Sequence, residues 1–113
     1  MIDADTIKAI LDQYSKHGWT LRRALLSASL AATLDKDVLF AGAEIHANIN
    51  DALWFSRRSQ PGFEAWELRR LSASPYALVD VIPDEFDPAE REERLRQVES
   101  KMFESGRRQE TSH

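Results

Sequence analysis

Ser59-Gln60-Pro61-Gly62 separates two stretches of alternating apolar and polar residues, Ala52–Arg58 and Phe63–Ser72, and it constrains the fold more than any other part of the chain. Proline presets φ for the first corner of a turn, and glycine accepts the positive φ of the second. The flanking stretches therefore read as an antiparallel hairpin. A Pro-Gly type II turn twists against its strands when it is the whole connection, so the expected loop has four residues. That loop sets Arg57 opposite Glu64, Phe55 opposite Trp66, Leu53 opposite Leu68 and Asp51 opposite Arg70. Each such cross-strand pair contributes a few tenths to about 1 kcal/mol over alanine. A slip of one residue sets Phe55 against Glu67 and discards all four matches. The other hairpin face carries Ala52, Trp54, Ser56, Arg58, Ala65, Glu67 and Arg69 and is too polar for a core. Trp54 is then expected on the solvent side, flanked by Arg58 and Arg69.

The three tryptophans share one local pattern: Trp19-Thr20-Leu21-Arg22-Arg23, Trp54-Phe55-Ser56-Arg57-Arg58 and Trp66-Glu67-Leu68-Arg69-Arg70. On a strand, the tryptophan and the second arginine share a face. Guanidinium planes stack on indole rings, worth about 0.5–1 kcal/mol at an exposed site. Neighbouring strands would build a ladder able to hold a carboxylate, a phosphate or a base. Trp54, Arg58, Arg69, Trp19 and Arg23 are the candidate binding residues. The competing reading is that the tryptophans fill the core and the arginines reach outward from it.

Helices are expected at both ends. Ile7, Ile10, Leu11 and Tyr14 form one apolar stripe over about 4–17, with Asp3 or Asp5 accepting first-turn amides and Gly18 ending the helix after Lys16 and His17. Asp87-Pro88-Ala89-Glu90 offers a capping box with proline at the first helical position. Leu95, Val98 and Met102, with Phe103 beside them, make a thin apolar stripe, and Glu90–Arg94 and Glu92–Arg96 are spaced for i,i+4 pairs. Trp19–Ser27 and Tyr76–Ile82 read as further strands, Glu44–Ala47 as a short one, and 27–41 as a region with a helical turn. The expectation is an α+β domain over 1–105, with an antiparallel sheet of about four strands in the order α-β-(α)-β-β-β-α, and a flexible tail over 106–113.

Composition removes several function classes. The chain has 113 residues and no cysteine, which excludes disulfides, thiolate catalysis and cysteine-ligated zinc. The longest charge-free run, Ala24–Leu34, is too short to span a bilayer, and Asp3 and Asp5 stand where a signal peptide would be basic. A cytoplasmic protein without membrane attachment is expected. The net charge of −4 concentrates in residues 73–113, where ten acidic side chains face six basic ones. A pI near 5.3 argues against duplex binding, which relies on phosphate neutralisation.

No GxGxxG, Walker A, GxSxG or HExxH occurs. Glu44 and His46 share a strand face near Asn48, but zinc takes three or four ligands and no further histidine or cysteine completes the set, so neither a metal nor a cofactor is expected. His17 suits a helix C-terminus, and Asp84, Glu85 and Asp87 suit a helix start better than acid–base catalysis.

Tyr76–Ile82 is apolar on both faces: Tyr76, Leu78 and Ile82 on one, Ala77, Val79 and Val81 on the other. Two substantial helices leave little to cover a second face, so self-association or a protein partner is expected. The resulting reading is a non-catalytic interaction or regulatory module, a homodimer. Its rivals are an anion or single-stranded nucleic-acid binder using the Trp/Arg surface, and a small cofactor-free enzyme.

Overall fold

The computed structural model describes residues 2–72 and 76–111, with side chains of the last helix through Glu104. The elements are α1 (Ala4–Lys16), β1 (Thr20–Leu26), α2 (Ala28–Ala31), α3 (Lys36–Leu39), β2 (Glu44–Ala47), β3 (Ala52–Gln60), β4 (Phe63–Arg70), β5 (Tyr76–Pro83) and α4 (Pro88–Thr111). The fold is α+β, as expected. Its sheet, however, has five strands in the order β2-β1-β3-β4-β5 and is mixed rather than antiparallel. β1 and β2 are parallel because α2 and α3 carry the chain back before β2 begins.

Local signals act as the sequence implies. Asp3 Oδ1 accepts from the Thr6 amide at 2.9 Å, which holds the Asp3 carboxyl below its usual range. His17 Nδ1 donates to the Gln13 carbonyl at 2.8 Å, and Gly18 adopts φ 82° just beyond α1. At α4, the Glu90 amide donates to Asp87 Oδ1 at 2.8 Å and the Asp87 amide to Glu90 Oε1 at 3.2 Å, a complete capping box. α4 continues to Thr111, past the Gly106 where the sequence reading ends it; residues 112–113 lie outside the described residues.

The hairpin register corrects the expectation. Phe55 lies opposite Glu67, Trp54 opposite Leu68, Ser56 opposite Trp66 and Arg58 opposite Glu64. Pro61-Gly62 alone connects the strands, Gly62 has φ 88°, and the register shifts between Arg58 and Gln60. That bulge absorbs the twist mismatch which had argued for a longer loop. Asp51, expected beside Arg70, instead takes the Ser27 amide at 2.6 Å and the Ser27 hydroxyl at 3.1 Å, tying the end of β1 to the start of β3.

The observed register is favoured because each sheet face has a helix. Ile7, Ala24, Leu26, Leu30, Phe40, Leu53 and Phe55 pack as one core, joined by Ile10, Leu11 and Tyr14 of α1. Leu25, Ala52, Trp54, Trp66, Leu68 and Ile82 pack as another with Leu95 and Met102 of α4. Neither hairpin face is the solvent face, and Ala52 through Ser56 is buried continuously. Each buried large side chain contributes roughly 1.5–3 kcal/mol through water exclusion.

Candidate functional site

The five candidate binding residues do not form one surface. Trp54 is 0% exposed beneath α4, where its indole N–H donates to Glu99 Oε2 at 2.8 Å. Its placement on the solvent side is thus overturned by the register. Arg23 is its neighbour across β1 and β3, also buried under α4 and paired with Glu92. Arg58 is exposed at the far end of the hairpin, held by Asp84 at 2.6 Å, which raises its pKa. Arg69 lies half-buried on the opposite face, and Trp19 is half-buried at the end of α1 with the Arg57 guanidinium 4.5 Å from its ring centroid. Trp–Arg contact does occur, but as packing: Arg22 lies 4.7 Å from the Trp66 ring centroid, and Trp66 is 1% exposed.

A β-bulge explains why two successive arginines reach one face. The β1–β3 register shifts between Leu21 and Arg23. Arg22 can then donate to Ser56 Oγ at 3.0 Å while Arg23 meets Glu92, both on the α4 side. Beside them a cleft of about 150 Å³ is lined by Arg23, His46, Asn48, Glu92, Arg96 and Glu99. Burial disfavours the Arg23 charge, but the hydrogen bond to Glu92 together with the charges of Glu92, Glu44 and Glu99 outweighs it and the pKa rises. The same bond lowers the Glu92 carboxyl, and a hydrogen bond from His46 lowers Glu44. Within the cleft Arg23 and Glu92 are therefore matched to each other, while Arg96 pairs with Glu93 at 3.1 Å and Glu99 accepts from Trp54. Among the described residues, no group of three or more His, Asp and Glu side chains stands together as a metal site.

The other uncommon surface is β5. Tyr76, Leu78 and Ile82 pack toward α4, whereas Ala77, Val79 and Val81 are exposed on the α1 side at the sheet edge. Val79 is 57% and Val81 39% exposed. A groove of about 610 Å³ runs between α1 and this strand, lined by Ile2, Ile10, Tyr14, Arg69 and Ala77 among others. One wall is formed by Tyr14, which stacks on Phe55 with ring centroids 3.9 Å apart and donates its hydroxyl to Glu67. Burial and that bond push the Tyr14 phenol well above its ordinary pKa.

Asp80 governs the edge. Its carboxylate receives Arg94 Nε at 2.7 Å and the outward amide of Val81 at 3.0 Å. The sequence reading missed this link because it assigned Arg94 to Glu90 on its own helix. Comparison with protein-family models, with curated proteins and with solved structures returned no match to this chain. Among the described residues, no helix is long and apolar enough to cross a membrane.

Proposed function

We propose that this chain is a small non-catalytic interaction module that self-associates through the β5 side of its sheet. The observation carrying this reading is the pair Val79 and Val81, exposed side by side on an outer strand whose other face is packed under α4. Val38 on the one-turn helix α3 and Ile49 between β2 and β3 are also exposed, at 73% and 86%, but each stands singly, and single exposed apolar side chains are ordinary. A strip of valines along a sheet edge is a template for another chain. The Trp/Arg reading loses its support, since its tryptophans are occupied in packing. The working compartment in this reading is the cytoplasm, on the acidic, cysteine-free composition, and fractionation of native cells checks it.

The test compares two valine-to-lysine changes by size exclusion with light scattering. Val79→Lys should convert a dimer to a monomer, while Val38→Lys leaves the dimer intact. A dimer that survives Val79→Lys would remove β5 from the interface.

A further inference from the structure

We infer that two copies pair through β5 itself, antiparallel and centred on Val79, joining their five-stranded sheets into one continuous sheet. This rests on the self-association reading and specifies its contact.

The direction of the backbone groups on β5 follows from the ladder. The Asp84 amide donates to the Gly62 carbonyl at 2.9 Å, extending the β4–β5 register in which Phe63 faces Pro83 and Glu64 faces Ile82. In an antiparallel ladder, hydrogen-bonded pairs alternate with pairs whose groups point away. Ile82, Asp80, Leu78 and Tyr76 therefore bond to β4, while Ala77, Val79 and Val81 direct their N–H and C=O groups to the open edge. Two features agree. Pro83, which has no N–H, falls on the open side, where no ladder bond is lost. The Val81 amide is capped by Asp80 Oδ1 rather than by a strand.

The two sheet edges differ in protection. β2 has four residues, including Glu44 and His46, and offers little to pair with. β5 has eight residues, and Asp80 is its sole charge; no lysine, bulge or interior proline blunts it. A two-fold contact at β5 covers both long edges and leaves only the short β2 edges, so assembly closes at two copies.

The register follows from which donors exist. With Val79 facing Val79, Ala77 of each copy faces Val81 of the other, and every outward residue both donates and accepts. Centring on Val81 sets Val79 against Pro83, which has no donor. Centring on Ala77 carries Val81 past the start of the other β5. Val79 is the centre that uses all three outward residues. The Val81 amide then exchanges Asp80 for the Ala77 carbonyl of the other copy, and Asp80 keeps Arg94. On the α4 side Tyr76 faces Ile82 and Leu78 faces Asp80, so the two Asp80 carboxylates lie diagonally and never directly opposite.

Because the chain has no cysteine, single cysteines report the register without background. Opposed residues bring Cα atoms to about 4.5–5.5 Å, within disulfide range, whereas like residues at 77 lie roughly 13 Å apart at about 3.3 Å per residue. Mild oxidation should cross-link Val79→Cys with itself, leave Ala77→Cys and Val81→Cys each uncross-linked, and cross-link a mixture of those two. A dimer by sedimentation in which that mixture fails to cross-link overturns the register while self-association stands. A monomer of the unsubstituted chain overturns both. Hydrogen exchange needs no variant: the Ala77 and Val79 amides should slow as concentration rises through the dimer range, and unchanged rates in a proven dimer overturn the pairing.

Discussion

Trp54 and Trp66 meet edge to face under α4, with ring centroids 6.1 Å apart and planes at 75°. They come from adjacent strands, Trp54 opposite Leu68 and Trp66 opposite Ser56, so the contact is diagonal across the hairpin. Truncating a buried tryptophan costs about 3–5 kcal/mol. Trp54→Ala should lose that much in chemical denaturation, and the loss should not depend on protein concentration, because Trp54 belongs to the core. Arg58→Ala, which breaks an exposed pair with Asp84, should leave the denaturation midpoint nearly unchanged.

The hairpin turn rests on one backbone conformation. Gly62 has φ 88°, and a Cβ added there meets nothing within 4 Å, so a substitution is penalised by the backbone alone. A non-glycine residue in the left-handed region costs roughly 1–2 kcal/mol. Gly62→Ala should show this in denaturation, and Gly62→Asn should lose less, since asparagine tolerates that region. Equal losses for both would move the cause away from φ.

The Arg23–Glu92 pair makes stability depend on acid. The hydrogen bond from Arg23 holds the Glu92 carboxyl below its ordinary value of 4.5. A carboxyl depressed by folding contributes stability above its unfolded pKa, and that contribution is lost as pH falls through the folded value. Stability should therefore decline below about pH 4.5. Glu92→Gln should be less stable near neutrality and show a flatter acid limb, with Asp3 and Glu44 supplying the remaining slope. An unchanged acid limb would exclude Glu92 as a contributor.

Features encoded within a few residues were legible in the sequence. The Asp3 cap, the Gly18 stop, the Asp87/Glu90 box and the Leu95–Met102 stripe each involve neighbours on one helix, and all form as read. Features decided across the sheet were not. Glu92 and Arg94 had good partners on α4, yet they turn to Arg23 and Asp80 on the strands. The hairpin register was misjudged because the Pro-Gly twist was held against a two-residue connection, and the bulge between Arg58 and Gln60 that relieves it carries no sequence signal. The uninterrupted apolar run Ala52-Leu53-Trp54-Phe55 carried the correcting signal, since only a strand buried on both sides reads that way. Nothing in the Trp-x-x-Arg-Arg repeats foretold that a bulge would turn Arg22 and Arg23 to one face. The twofold character of Tyr76–Ile82 was legible, because α4 covers one set of its side chains and leaves Val79 and Val81 exposed.

Sedimentation equilibrium of the unsubstituted chain decides whether two copies associate. A mass of about twice the 12.9 kDa chain is expected at micromolar concentration, falling toward a single chain on dilution. A mass of one chain throughout the accessible concentration range would contradict it.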